Sequence, residues 1–274
     1  MPKHNHKRRE AMMSPIIRRY IISIVGLMIS SCAPAQETTS QTSSDQAAAY
    51  QKKAHEEQLL NDWADLARYR AEDEAMPAPS EPETRVVFMG DSITENWGMM
   101  GNPQLPSLGK FFPGKPYVNR GITAQTSPQM LVRFRQDVIG LKPKVVVILA
   151  GANDIAENTG KMRLVDTENN LQSMSDLARA NGIKVVLCSL LPAKDFWWHK
   201  GLDPSPKIKA LNDWIRTYAA GRNFPYADYY SALVDNEGGL RANLTLDGVH
   251  PNGKGYAVMA PIAQNGIDAA LKTE

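Results

Sequence analysis

Residues 85–94 read RVVFMGDSIT, an apolar run that ends in a glycine and a polar turn. Because polar and apolar residues do not alternate within the run, it is typical of a strand buried on both faces of a parallel sheet. Residues 145–150 (VVVILA) and 184–191 (KVVLCSLL) have the same character. The three runs therefore predict three strands of one buried parallel sheet.

Helices are predicted between these strands, because apolar residues recur there at helical spacing. Ser127-Pro128 begins one such stretch and Gly140 follows it, while Ser205-Pro206 begins another. A serine cap with proline at the first helical position is typical of a helix start, and glycine is typical of a helix end. Strands that alternate with helices predict an α/β fold with helices on both faces of a central parallel sheet.

Polar residues follow the predicted strands, at the edge where a parallel sheet places its site. They fall into four blocks: Gly90-Asp91-Ser92-Ile93-Thr94, Asn119-Arg120-Gly121, Gly151-Ala152-Asn153-Asp154 and Asp247-Gly248-Val249-His250-Pro251. The first three follow apolar runs, of which the second, Tyr117-Val118, is the weakest, and the fourth lies near the carboxyl terminus. We expect the fold to gather the blocks at one edge of the sheet.

Ser92, His250 and Asp247 are the residue types that nucleophilic catalysis requires. A serine hydroxyl is a weak nucleophile until a neighbouring base takes its proton, and histidine is the side chain that most often serves as such a base, so His250 is the candidate. Asp247 lies three residues before His250, close enough to reach the imidazole and fix its tautomer. These three residues are the predicted catalytic residues.

An oxyanion that forms on an attacked carbonyl needs hydrogen-bond donors that are already in place. The candidate donors are the backbone N–H groups of Ser92 and Gly121 and the side-chain amide of Asn153. Asp91 and Asp154, which adjoin Ser92 and Asn153, are expected to support the site. Each block alone has a structural alternative, because Gly-Asp-Ser also forms turns, an asparagine also caps helices, and a histidine before proline is often only structural.

The four blocks together resemble those of the SGNH hydrolases, also called the GDSL family of esterases and lipases. The residues that match the family name, in the expected order, are Ser92, Gly121, Asn153 and His250, with Asp247 in the last block. The resemblance covers residues 84–272. It implies a flavodoxin-like three-layer α/β/α sandwich and two-step ester hydrolysis through an acyl-enzyme on the serine, with no metal and no other cofactor.

The segment 195–200 (DFWWHK) follows the third strand on the same edge as the predicted site. Phe196, Trp197 and Trp198 either wall an acyl pocket or stack on a sugar, or they pack their loop onto the domain. Together with the export signal described below, they favour acetyl esters of carbohydrates as substrates. The alternatives are a lysophospholipase or thioesterase, an envelope O-acetyltransferase with the same triad, and a binding protein that keeps the fold without activity.

Residues 1–31 have the pattern of a bacterial export signal. Basic residues precede the apolar run 20–29, which is much shorter than the roughly 20 residues that cross a bilayer. The run ends in Ile29-Ser30-Ser31-Cys32, which resembles the lipobox of bacterial lipoproteins. This resemblance implies a lipid anchor on Cys32 and, because Ala33 follows it, sorting to the outer membrane. A signal cleaved nearby, with Cys32 incidental, is the alternative.

Two segments are expected between this anchor and the hydrolase domain, residues 84–274. Residues 32–46 are small and polar and predict a flexible tether. Residues 47–83 predict a helix, because apolar residues recur at helical spacing from Leu59 to Ala67, followed by a proline-rich connection. We expect this helix to pack on the domain, and a partner-binding stalk is the alternative.

Charge and cysteine content limit the remaining function classes. The formal net charge of +2 comes from the basic residues before Cys32, so the rest of the chain is mildly acidic and offers no basic surface to a nucleic acid. Of the two cysteines, lipidation of Cys32 would leave Cys188 alone in an apolar run, where it is expected to be a small core residue. The sequence does not indicate an oligomeric state.

Overall fold

The central sheet has five parallel strands: β1 (Val86–Gly90), β2 (Tyr117–Gly121), β3 (Val145–Leu149), β4 (Lys184–Cys188) and β5 (Tyr226–Ala227). Their order across the sheet is β2-β1-β3-β4-β5, which is the flavodoxin-like order. The structure is a computed structural model that describes residue 53, residues 56–98 and residues 110–273. The predicted signal peptide, the tether and Cys32 lie outside the described residues.

Eight α-helices accompany the sheet after residue 66 in the described part of the chain: α1 (Ala67–Ala75), α2 (Ser92–Glu95), α3 (Ser127–Asp137), α4 (Ala152–Ile155), α5 (Leu164–Ala180), α6 (Pro204–Gly221), α7 (Tyr229–Leu233) and α8 (Gly253–Lys272). The predicted helix starts are displaced by one residue at α3 and by two residues at α6. Thr126 is the N-cap of α3, because the Gln129 side chain accepts its backbone N–H, and α6 begins at Pro204. None of the helices described has the length and apolar content needed to cross a membrane.

The unbroken apolar character of β1 follows from two apolar layers, one on each face of the sheet. Val87 and Met89 pack against Met130 and Phe134 of α3, within a layer that α5 and α6 complete. On the other face, Val86 and Phe88 belong to a layer with residues of α7 and α8. Every side chain of the strand is therefore buried, and the three-layer α/β/α architecture predicted from the sequence is confirmed.

The sheet register brings the polar blocks together. Gly90 at the end of β1 pairs with Gly121 of β2 on one side and with Leu149 of β3 on the other. The residues that follow these three strands consequently leave the sheet side by side at its carboxyl edge. This is the edge where open parallel sheets carry their sites.

The segment before the sheet folds differently from the single helix that was predicted. Residues 56–61 are helical, but the chain breaks at 62–66 before α1 begins. The break has a local cause, because the Asp62 carboxylate accepts the backbone N–H groups of Leu66 and Ala67. Trp63 is consequently exposed, and a compact unit extends over Glu57–Glu274.

Cys188 lies at the end of β4, within the layer formed by α7 and α8. Its side chain is buried, and burial raises the pKa of its thiol to about 12. A thiol with such a pKa stays protonated at neutral pH and is a poor nucleophile. Cys188 therefore has the surroundings of a small core residue.

Candidate active site

Ser92, His250 and Asp247 form one chain of hydrogen bonds. Ser92 begins α2, directly after β1, whereas Asp247 and His250 lie in the loop that precedes α8. Ser92 Oγ lies 2.9 Å from His250 Nε2, and Asp247 Oδ2 lies 2.7 Å from His250 Nδ1. Both distances are those of ordinary hydrogen bonds. The fold thus brings together three residues that the sequence places in two distant blocks.

The loop that carries Asp247 and His250 is shaped by its own side chains. Asp247 Oδ1 accepts the backbone N–H groups of Val249 and His250, at 3.0 and 2.8 Å. The Thr245 hydroxyl donates to His250 O and accepts the N–H of Gly248. Gly248 has φ +88°, a left-handed conformation that favours glycine. The role of Thr245 was missed in the sequence, because nothing in the pattern marks it.

Asp247 is held as a carboxylate. Its partial burial alone would raise its pKa, but the hydrogen bond and charge of His250 and the backbone N–H groups of His250 and Val249 lower this pKa to about 2. An ionised Asp247 accepts from the N–H at Nδ1 of His250, which leaves Nε2 as an acceptor. In that tautomer His250 can take a proton from the Ser92 hydroxyl.

Asn153 follows β3 in the first turn of α4, where it is buried. Its Nδ2 donates to Gln125 O at 3.0 Å, and its Oδ1 accepts from Asn158 Nδ2 at 2.9 Å. These two bonds fix which side of the amide carries the hydrogens. One of the two Nδ2 hydrogens is used by Gln125, so the other is available to a ligand.

Gly121 has a different role from the one predicted. Its N–H donates to Asn119 Oδ1 at 2.9 Å, and Asn119 Nδ2 in turn donates to Thr94 O. A Cβ at Gly121 would lie 2.1 Å from the backbone nitrogen of Glu95. Gly121 therefore allows α2 to pack closely against β2. Because its N–H is occupied, the structure does not place Gly121 as an oxyanion donor.

Ala124 is a candidate donor that the sequence analysis missed. It has φ +64°, which is uncommon for a residue with a Cβ, and its N–H has no hydrogen-bond partner among the described residues. Ala124 O accepts from Asn158 Nδ2, and the neighbouring Gln125 O accepts from Asn153 Nδ2. The Ala124 segment therefore lies against the Asn153 amide. An alanine in this position gives no signal in the sequence.

The two acidic residues predicted to support the site are both buried and act on the backbone around it. Asp91 Oδ1 accepts the N–H of Ile93 and caps α2, and burial raises the pKa of Asp91 to about 6. Asp154 accepts from the backbone N–H and hydroxyl of Ser127 and from the Thr167 hydroxyl, so it links α4 to α3 and α5. Within residues 56–98 and 110–273, no group of three His, Cys, Asp or Glu side chains could hold a metal ion.

The three aromatic residues after β4 have three different surroundings. Phe196 is buried in the core. Trp198 donates through its indole N–H to Asn158 Oδ1 at 2.9 Å, and its ring lies 6.2 Å from that of His250. Trp197 is 59% exposed, and its indole N–H donates to Asp247 Oδ2 at 3.1 Å. Packing of the loop onto the domain thus describes Phe196, whereas Trp197 contacts the Trp198 ring and is largely exposed beside Asp247.

The chain is similar to several known proteins. Residues 88–258 match the GDSL-like lipase/acylhydrolase family. A GDSL-like lipase of known structure from Bacteroides thetaiotaomicron is 44% identical, with a TM-score of 0.71, over 76% of this chain and 100% of that one. An acetylxylan esterase from Xylanibacter ruminicola is 29% identical over 252 residues, 80% of this chain and 48% of the esterase. This chain therefore spans about half the length of that relative.

A third relative is the lipoprotein YqeF of Bacillus subtilis, whose function is uncharacterized. It is 25% identical over 214 residues, which are 66% of this chain and 88% of YqeF. The family match extends over more than half of the chain and includes all four polar blocks. The chain belongs to the GDSL-like lipase/acylhydrolase family, the SGNH hydrolases, and is a serine ester hydrolase of that family.

Proposed function

We propose that Ser92, His250 and Asp247 are the catalytic triad of this hydrolase and that it releases acetyl groups from carbohydrate esters. The chain of hydrogen bonds from Asp247 through His250 to Ser92 is the observation that carries the proposal. The Ser92 side chain reaches the carboxyl edge of the sheet, where a substrate has access.

The reaction has two steps. Ser92 Oγ attacks the ester carbonyl while His250 Nε2 takes the hydroxyl proton, and Asp247 stabilises the resulting imidazolium. The carbon–oxygen bond to the alcohol breaks, and the alcohol leaves with the proton from His250. A water molecule then gives a proton to His250 and attacks the acyl-enzyme. The acid is released, and Ser92 regains its proton.

Three N–H donors are available to the oxyanion that forms in each step. They are the backbone N–H of Ser92, which makes no hydrogen bond within the described residues, the second hydrogen of Asn153 Nδ2 and the backbone N–H of Ala124. Ala124 takes the place that the sequence analysis gave to Gly121. Donors held in place before the reaction stabilise the developing charge without reorganising.

The substrate class rests on the surroundings of the triad and on one relative. Trp197 presents its exposed indole next to Asp247, and such a face can pack against the C–H face of a sugar ring. The Xylanibacter relative is an acetylxylan esterase. A short acyl group and a carbohydrate alcohol agree with both observations.

The location follows from the amino-terminal motif. We propose that Cys32 carries a lipid and that the protein is exported and anchored to the outer membrane. The lipobox-like Ile29-Ser30-Ser31-Cys32 supports this proposal, as does the similarity to a lipoprotein of Bacillus subtilis. An anchored esterase would meet polysaccharides at the cell envelope.

A substrate panel tests this function. The mature chain, residues 32–274, is assayed on acetylated xylan fragments, other acetylated glycans, a lysophospholipid, an acyl thioester and p-nitrophenyl esters of rising chain length. We expect the highest kcat/KM for acetyl esters and release of free acetate, with Ser92→Ala inactive. A preference for long acyl chains would instead indicate a lysophospholipase or thioesterase. Acetyl transfer to a glycan faster than acetate release would indicate an O-acetyltransferase.

A further inference from the structure

The segment Asp62–Ala75, here called the strap, lies before the region that matches the family, residues 88–258. Its backbone carbonyls accept hydrogen bonds from glutamine side chains of the domain. Gln125 donates to Ala64 O at 2.7 Å, Gln129 to Trp63 O at 2.6 Å and Gln136 to Leu66 O at 2.8 Å. The strap therefore lies along α3 and the residues that precede it.

The contact from Gln125 and two further contacts of the strap reach residues 121–126, here called the oxyanion loop. Tyr69 is buried, and its hydroxyl donates to Gly121 O. The strap also reaches the loop through Glu95, whose Oε1 pairs with Arg68 at 2.9 Å. Glu95 Oε2 accepts the backbone N–H of Thr123 at 2.7 Å and its hydroxyl. Thr123 directly precedes Ala124, and Gln125, which donates to Ala64 O, directly follows it. The strap therefore holds the loop on both sides of Ala124.

A buried arginine extends the same network towards the nucleophile. Arg133 of α3 is completely buried. It donates to Gln125 Oε1 and, at 3.0 Å, to Gly90 O at the end of β1, and it pairs with Asp137. Gln125 thus joins Arg133 to the strap through Ala64 O, while its own carbonyl holds the Asn153 amide.

The loop has a physical need for such support. The left-handed backbone conformation of Ala124 is unfavourable for a residue with a Cβ, and such conformations persist where the surroundings determine them. An oxyanion donor also contributes fully only when its position is fixed before the reaction. Both requirements are met at Ala124 by contacts from a segment outside the matched family region.

We propose that the strap positions the oxyanion loop, so that Ala124 N–H and the Asn153 amide are held in place by residues amino-terminal to the family domain. Tyr69 and Arg68 are then positioning residues, which act through Gly121 and Glu95 and do not contact the substrate. This inference rests on the proposed triad and oxyanion donors. It assigns to the strap a part in catalysis besides its part in folding.

The test compares Tyr69→Phe and Arg68→Met with Gln136→Leu in the otherwise complete mature chain. Gln136 is the matched control because it binds the same strap, at Leu66 O, but its other contact is to Asp137 and not to the oxyanion loop. We expect the first two variants to lose about threefold to thirtyfold in kcat, less than the roughly 10²–10³-fold loss of a whole donor, with KM almost unchanged. Gln136→Leu should keep the wild-type kcat.

The affinity for a boronic acid is a second measurement, which a merely structural role of the strap would not change. The boronic acid forms a tetrahedral adduct with an active serine and places an oxygen among the oxyanion donors. Its dissociation constant should rise in Tyr69→Phe by the factor by which kcat/KM falls, and it should not change in Gln136→Leu. Melting temperatures of all samples are measured alongside.

Three results would overturn the inference: wild-type kcat in both Tyr69→Phe and Arg68→Met, an equal loss in Gln136→Leu, or an unchanged boronate affinity in variants with lowered kcat. Failure of the proposed function would look different. In that case Ser92→Ala would retain the esterase activity of the wild type, and a fluorophosphonate would not label Ser92. The positioning role would then be refuted together with the triad.

Discussion

The substitution Asp247→Asn tests the orienting role of the carboxylate most sharply, because the loop determines how the new amide must lie. Asp247 Oδ1 accepts the N–H groups of Val249 and His250, so an asparagine must place its oxygen there. Its NH2 group then occupies the position of Oδ2, 2.7 Å from His250 Nδ1. Nδ1 becomes an acceptor, and the proton moves to Nε2. His250 in that tautomer can no longer take the proton of Ser92.

The size of the effect follows from the alternative orientation of the amide. Turning its oxygen towards His250 would restore the productive tautomer but leave two backbone N–H groups facing an NH2 group. Each donor left without a partner costs about 1–3 kcal/mol, and the other orientation also leaves one donor unpaired, the Trp197 indole N–H that now binds Oδ2. The net difference is one unpaired donor, so the productive orientation lies about 1–3 kcal/mol above the other. At 1.36 kcal/mol for each factor of ten, kcat should fall by about 5-fold to 150-fold.

The assay is p-nitrophenyl acetate hydrolysis at pH 8, with a thermal melt on the same samples. Asp235→Asn is the matched control, because Asp235 Oδ1 also accepts two backbone N–H groups, from Glu237 and Gly239, in a loop of its own. We expect Asp235→Asn to keep the wild-type kcat. A loss below about fivefold in Asp247→Asn, or an equal loss in Asp235→Asn, would refute the orienting role of Asp247.

Three further predictions concern the nucleophile turn, the oxyanion site and the anchor. Burial raises the pKa of Asp91 to about 6 from 3.8, so its neutral form stabilises the fold below about pH 4 and this contribution is lost as the pH rises through 6. In denaturant titrations, the free energy of unfolding of wild type relative to Asp91→Asn should therefore fall by up to roughly 3 kcal/mol between pH 4 and 7. A difference between the two proteins that does not vary with pH would contradict the raised pKa. Asn153→Ala should lower kcat by about 10²–10³-fold without a large change in KM, whereas a loss below threefold would remove Asn153 from the oxyanion site. Cys32→Ala should release the protein from the membrane fraction or leave an uncleaved precursor, as fractionation and mass spectrometry of the amino terminus would show; an unlipidated, soluble wild type would disprove the anchor.

The fold could be predicted from the sequence because its strands are buried on both faces. Val86 to Met89 alternate between two apolar layers, so the run contains no polar residue and its strand character is evident. The residues at the strand ends could be predicted for the same reason, since a parallel sheet gathers them at one edge. The helix before the sheet could not, because the Asp62 side chain breaks it through local hydrogen bonds to Leu66 and Ala67.

The oxyanion donors show which part of the site the motif specifies and which part depends on contacts in the folded chain. The motif contains Gly121, and a glycine after a strand suggests a backbone N–H that a substrate can approach. In the folded chain the N–H of Gly121 donates to Asn119 Oδ1. Because Gly121 has no Cβ, the backbone of α2 can pack closely against it. Which amide remains unpaired depends on contacts among Asn119, Glu95 and the strap, and these contacts join segments far apart in sequence.

The same argument explains why the strap was expected only to pack on the domain. Leu59, Leu60 and Trp63 suggested an apolar face, yet Leu60 and Trp63 are exposed. The strap is fastened by hydrogen bonds to its backbone carbonyls and by polar side chains, among them Arg68 and Tyr69. The bonds to the carbonyls depend on the donor side chains of α3 and the oxyanion loop and leave no pattern in the strap itself. Hydrogen bonds to a backbone also fix position more narrowly than apolar contact, because their strength declines steeply with misalignment. A segment fastened in this way is suited to holding a loop whose amide must be in place before the substrate arrives.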